Sequence, residues 1–191
     1  RDTAALKKLA VKENASLYMV LLTAYTILLS KLGNCEDIIV GTPTSGRSHP
    51  DADPVIGMFI NTLPLKMEIE GGESFTRLLQ SVRQSVLAAF ENQDYQFEDL
   101  VTQLTESGQL NRDTSRNPLF DVMFSLLEMG GSRGNNENVS IYQYQDRTSK
   151  FDLTLQAEEV GDEIALEWEY CVRLFESRTV QRFNRYFNTV V

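Results

Sequence analysis

The stretch Arg112-Asp113-Thr114-Ser115-Arg116-Asn117-Pro118-Leu119 decides how this chain is read. It sets two arginines and an aspartate beside a helix breaker and the start of an extended run. Pro118 turns Asn117 away from helical geometry, so the spacing predicts a strand over residues 119 to 127. An aspartate between two guanidinium groups can form charge-assisted pairs. Arg112, Asp113 and Arg116 are therefore expected to make a buried or half-buried ionic clasp that holds the strand start. An oxyanion site on the same arginines is the alternative.

Two further strings lie upstream. Ile56-Gly57-Met58-Phe59-Ile60-Asn61-Thr62-Leu63 places a primary amide inside an apolar run. Gly57 lets an extended backbone pass where a side chain would crowd a neighbour, and Phe59 and Ile60 can pack on opposite faces. A buried amide left without partners costs about 1–3 kcal/mol. Asn61 therefore either satisfies backbone groups at a strand irregularity or lines a polar cavity. In the second string, Asn92-Gln93-Asp94-Tyr95-Gln96-Phe97-Glu98, Asn92 and Gln93 end a helix. Asp94 or Gln96 can receive the amides that open the next helix. Tyr95 and Phe97 anchor the corner, which reads as structural rather than catalytic.

The remaining elements follow from period and punctuation. Leu6, Leu9 and Ala10 share one face of a short helix over residues 3 to 12. Asn14 or Ser16 can cap an apolar helix that stops at Gly33-Asn34. Ile38-Ile39-Val40 reads as a short strand, followed by a loop from Gly41 through Ser45, Gly46 and Arg47 to Pro54. Residues 56 to 69 read as a long extended segment, with Pro64 placing part of it at a sheet edge. Ser74 caps a helix carrying Phe75, Leu78, Leu79, Val82 and Val86. A shorter helix follows from Phe97 to Leu104. Phe151 to Gln156 and Ile164 to Tyr170 make a hairpin around Gly161-Asp162, and an amphipathic helix starts at Ser177. Residues 130 to 138 are polar and glycine-rich, a candidate excursion. The fold class is α/β, with a mixed β-sheet packed against helices.

Composition narrows the function. The chain has 191 residues, 42% hydrophobic and 24% charged, within the range of ordinary globular proteins. A net charge of −9 without a basic stripe argues against nucleic acid or an anionic membrane as main partner. The apolar run from Leu17 to Leu32 is shorter than the roughly 20 residues a membrane span needs, so it reads as a core helix. Cys35 and Cys171 read as two buried thiols in a reducing, cytoplasmic compartment. One histidine and no Cys-x-x-Cys pair predict no metal site. That histidine, His49, shares a Pro-rich loop with Ser45, Ser48 and Asp51. Such neighbours usually form turns, whereas triad members usually come from separate elements.

In that order and spacing the three strings resemble the last three core motifs of the condensation domains of nonribosomal peptide synthetases. The family has proline where this chain has Gln96. Its catalytic motif, His-His-x-x-x-Asp-Gly, does not occur in this sequence. The resemblance implies one lobe of the two-lobed fold typified by chloramphenicol acetyltransferase, with residues 1 to 191 as the C-terminal lobe. The catalytic histidine would come from the N-terminal lobe, which is absent here.

The family's reaction implies an amine on an acceptor carrier protein attacking a thioester on a donor carrier protein to make a peptide bond. This lobe would contribute no catalytic residue. Asn61, with Ser45, Gly46 and Arg47, would line the tunnel between lobes. Gly57, Phe59, Asn92, Gln93, Asp94, Phe97, Glu98, Arg112, Asp113, Arg116, Asn117 and Pro118 would be structural. Residues 130 to 149 would be a latch onto the other lobe.

The implied partners are the N-terminal lobe, both peptidyl carrier proteins and an adjacent adenylation domain. No cofactor would bind directly, since phosphopantetheine rides on the carriers. The isolated lobe is expected to be inactive and prone to self-association through its exposed interface. A carrier-docking module without chemistry and a hydrolase built on Ser45 or Ser48 with His49 are the competing readings.

Overall fold

In the computed structural model, Ser16 opens the helix around which the core forms. Its hydroxyl accepts from Met19 N at 3.2 Å, as an N-cap residue should. The structure describes residues 2–47, 49–111, 113, 115–127 and 148–191. Helix α1 spans Asp2–Lys12 and helix α2 spans Leu17–Gly33. Asn34 closes α2 in the left-handed region, at φ 47°, with its N–H on Ser30 O. Val20, Leu21, Leu22, Tyr25 and Leu28 are buried. Thr23 and Thr26, buried on the same helix, donate back to Met19 O at 2.7 Å and Leu22 O at 2.8 Å. These bonds let hydroxyls sit in an apolar environment.

Strands β1 (Asp37–Thr44), β2 (Asn61–Glu68), β3 (Val122–Leu127), β4 (Leu153–Val160) and β5 (Glu163–Tyr170) form one sheet in the order β2-β1-β3-β4-β5. The β1–β2 and β4–β5 pairs are antiparallel, and β1–β3 and β3–β4 are parallel, so the sheet is mixed. Helices α3 (Phe75–Glu91), α4 (Phe97–Glu106) and α5 (Ser177–Val190) complete the described α-helices. Val40, Leu65, Phe124 and Leu155 point into one core with α2, with Leu79 and Val82 of α3, and with Phe187 of α5. On the opposite face Ile39, Lys66, Glu167 and Glu169 are exposed, because alternation along a strand sends neighbours to opposite sides. No single described helix is long and apolar enough to cross a membrane.

Three expectations change. β1 continues through Gly41-Thr42-Pro43-Thr44, which the sequence reading made a loop. Gly41 lies directly under the Phe120 ring, where a β-carbon would fall 2.1 Å from Cε2, and this contact cannot be read locally. Residues 56 to 60 are not strand. Thr44, the last residue of β1, pairs with Asn61, so the chain before Asn61 has no ladder to join. Gly57 therefore lies outside the sheet, and Ile56, Met58 and Ile60 are exposed. Cys35 is exposed and Cys171 half-buried, rather than both in the core. Pro64 does fall on an edge strand, and Gly161 turns the β4–β5 hairpin at φ 62°.

Candidate functional site

Asn61 sits where β2 begins, with 4% of its surface exposed. Its Nδ2 donates to Gln93 O and to Tyr95 O, both at 2.8 Å. Its Oδ1 accepts from Thr62 N at 2.9 Å and from Phe97 N at 3.3 Å. All four hydrogen-bonding positions of the amide are thus in use. The side chain joins the first string to the second and satisfies the opening amide of α4. Gln96 occupies the N-cap position of that helix and makes no side-chain cap bond. Gln93 is held from the other side, its Oε1 accepting from Thr44 Oγ1 at 2.6 Å.

The corner forms one wall of a cavity of about 590 Å³. Gly46, Phe59, Asn61, Gln93, Asp94, Phe97, Glu98 and Asn117 line it, all of them residues singled out in the sequence. Gly46 is where smallness matters. It holds φ +64°, and a β-carbon there would lie 1.7 Å from Phe59 O, so the loop closes on Phe59 only with glycine. Phe120 and Phe151, which no motif in the sequence singles out, are buried on the far wall. Phe97 meets Phe120 edge-on at 5.7 Å, and Phe120 stacks on Phe151 at 5.5 Å. The only local signal for the two missed rings was an aromatic at each of two strand starts. Which cavity they face depends on sheet order.

Ser45 and Arg47 are outside the lining. Ser45 Oγ accepts from Arg47 N at 3.4 Å. The Arg47 guanidinium donates to Ala52 O, to Gly57 O at 3.4 Å and to Asp53 O at 3.5 Å. Its carbon lies 4.5 Å from the centroid of the Phe59 ring, a cation–π contact. Arg47 therefore braces its own loop, and its donors are turned to carbonyls rather than held open for an anion. Asn92 sits at the end of α3, its Nδ2 donating to Ala88 O at 2.9 Å.

The ionic clasp is built differently from the expected one. Arg112 lies outside the described residues. Asp113 is exposed, and its Oδ1 accepts from Ser115 N at 2.8 Å and from Ser115 Oγ at 2.7 Å, an Asx turn. These bonds, the hydroxyl's first, hold its carboxyl below the usual carboxylate range, with the Arg116 charge a smaller influence. Arg116 instead bridges Asp121 Oδ2 at 2.6 Å and Asp152 Oδ2 at 3.3 Å. It ties the lead-ins of the parallel strands β3 and β4, with Asn117 Nδ2 on Lys150 O at 3.3 Å beside it. The cause is topological: Asp152 and Asp121 come together only because β4 pairs with β3.

His49 is exposed and caps a one-turn 3-10 helix, Pro50–Ala52. Its Nδ1 accepts from Asp51 N at 3.2 Å. Among the described residues no hydrogen bond joins it to Ser45, while Ser48 lies outside them. Among the described residues the geometry gives no nucleophile–base pair here. Residues 130 to 147 of the expected latch also lie outside the described residues.

Comparison with known proteins identifies the scaffold. A condensation-domain family model matches residues 1–191. Bacitracin synthase 3 of Bacillus licheniformis is 44% identical over 191 residues, covering 99% of this chain and 3% of that protein. Tyrocidine synthase 3 of Brevibacillus parabrevis is 46% identical over 184 residues, covering 95% of this chain and 3% of that protein. A four-domain nonribosomal peptide synthetase bound to AMP and glycine superimposes with TM-score 0.85 at 21% identity, over 98% of this chain and 15% of that one. The first condensation domain of the calcium-dependent antibiotic synthetase gives TM-score 0.74 at 16% identity, over 98% of this chain and 41% of that one. The chain thus spans a small part of the synthetases it matches and about two fifths of a solved condensation domain. Matched along its whole length, with its three strings built into one corner, cavity and strand start, the chain belongs to the condensation-domain family of nonribosomal peptide synthetases.

Proposed function

We propose that residues 1 to 191 act as the C-terminal lobe of a condensation domain. In the full domain this lobe closes a tunnel against an N-terminal lobe carrying the His-His-x-x-x-Asp-Gly histidine. The amine nitrogen of an acceptor aminoacyl group attacks the donor thioester carbonyl there. A C–N bond forms, the C–S bond breaks, and the amine proton passes through the histidine to the departing thiolate. Both substrates arrive on phosphopantetheine arms of carrier proteins, with an adenylation domain as neighbour.

The observation that carries this reading is the coverage: nearly all of this chain superimposes on 41% of a condensation domain. The chemistry of the described residues agrees with it. The one histidine caps a turn on the surface, and the Asn61 amide is fully engaged by backbone. On this reading Asn61 shapes the tunnel wall and transfers no proton.

The test mixes the expressed chain with donor- and acceptor-loaded carrier proteins and looks for dipeptidyl carrier by mass spectrometry. The chain alone is expected to yield none. Product should appear when an N-terminal condensation lobe with intact histidines is supplied, and vanish when those histidines are replaced by alanine. Product from the chain alone, lost on His49→Ala, sinks the proposal. Saturable carrier binding with no product even after the lobe is supplied favours the docking-module reading instead.

A further inference from the structure

We infer that the cavity between the residue 45–60 loop and the α3–α4 corner receives the side chain of a condensing acyl group and selects for an apolar, flat one. The inference rests on the condensation reading and names the substrate class at the same site. Its walls carry the argument. Phe97, Phe120 and Phe151 form a continuous aromatic series, edge-on at 5.7 Å and then stacked at 5.5 Å. Phe59 closes it from the loop side while 36% exposed, so one ring remains available to a guest. The Arg47 guanidinium against that ring, and Gly46 beneath its carbonyl, hold Phe59 in place before any guest arrives. Phe120 and Phe151, 6% and 8% exposed, back the wall, and Phe59 offers its face or edge to a flat guest. A volume of about 590 Å³ is within the range of small-molecule sites.

The lining mixes polar and apolar surface, and its carboxylates, Asp94 and Glu98, outnumber its single ammonium, Lys150. The Asn61 amide in the wall has no free donor or acceptor. Asp94 and Glu98 stand exposed at the rim, and among the described residues neither pairs with a lysine or arginine. An acidic side chain entering there would meet like charge, which acts as selection against it. Lys150, also in the lining, is turned toward the Phe151 ring at 5.4 Å from its centroid.

The test titrates the chain with non-hydrolysable pantetheine amides of phenylalanine, alanine and aspartate, followed by nuclear magnetic resonance. The phenylalanyl amide is expected to bind about tenfold or more tighter than the aspartyl one. Phe59→Ala should cut phenylalanyl affinity about tenfold. Ile60→Trp, at an exposed position beside the mouth, should do so by obstruction, which keeps the test open if Phe59→Ala fails to fold. Glu98→Gln should narrow the gap between phenylalanyl and aspartyl amides. Equal affinity for all three amides, no binding by any, or phenylalanyl binding unchanged in the folded variants overturns the inference. Titration with unacylated phosphopantetheinyl carrier separates the two readings. Carrier binding without acyl discrimination ends only this inference, whereas loss of carrier binding as well counts against the condensation reading.

Discussion

A primary amide offers two donors and two acceptor lone pairs, and at Asn61 the fold uses all four. The two alternatives posed for this residue are met together, because it satisfies backbone at a strand end and also faces a cavity. Asn61→Ala would strand two carbonyls and two N–H groups in a largely buried wall. A loss of about 2–4 kcal/mol in urea unfolding is expected, and a loss below about 0.5 kcal/mol would contradict this account. Asn61→Asp would set a carboxylate against the carbonyls of Gln93 and Tyr95. Its deficit relative to the parent chain should therefore shrink as the pH is lowered and the carboxyl protonates. That an amide in an apolar run needed partners was legible from its chemistry. Which partners it found was not, since three of the four lie more than thirty residues away.

At the scale of elements, caps and period were enough for α1, α2, α3 and α5. Ser16 and Ser74 act as the caps expected of them, and Asn34 ends α2 where anticipated. Helix α4 has an opening its own sequence does not explain. Gln96 contributes no cap bond, and Asn61 of β2 reaches Phe97 N instead. Gln96→Ser should give α4 its own N-cap and stabilise the protein by about 0.5–1 kcal/mol, with slower amide exchange in the first turn of α4. Unchanged exchange there would show that the borrowed cap already suffices. Strand limits were less legible than helices. A strand persists only where another strand pairs with it, so β1 outran its expected end and β2 began late.

Across the whole molecule, one covered sheet face concentrates the aromatic core around α2. Tyr18 donates to Thr42 Oγ1 at 2.9 Å, and burial pushes its pKa up to about 12. Tyr25, packed against Phe124 and Trp168, is fully buried with no hydrogen-bond partner for its hydroxyl among the described residues. Burial raises its pKa further still. Both shifts favour the neutral phenol in the folded state. Their contribution is fully present below the ordinary tyrosine value of 10.0 and is lost as the pH rises from there through the folded values. Stability should therefore hold to about pH 9 and fall steeply above about pH 10, with the tyrosinate absorbance of the buried Tyr18 and Tyr25 rising together with unfolding. Tyr25→Phe removes the orphaned hydroxyl. It should raise stability at neutral pH by about 1 kcal/mol and blunt the alkaline fall. Tyrosinate absorbance that the Tyr25→Phe variant lacks, appearing well before unfolding, would refute the assignment.

The sequence alone determined the α/β class, the helices, the hairpin and the family resemblance, because caps, period and turn residues act over a few positions along the chain. Only the tertiary structure decided that Arg116 clasps Asp121 and Asp152 rather than Asp113, that Arg47 braces its own loop, and that Phe120 and Phe151 complete an aromatic cavity. The pairing of β3 with β4 and the fold of the corner onto Asn61 join residues far apart in the chain. Contacts of that range depend on how the layers stack, which no local stretch encodes. The eight residues from Arg112 to Leu119 thus marked the family and the approach to β3, which begins at Val122 rather than Leu119, while the geometry of the clasp came from the sheet.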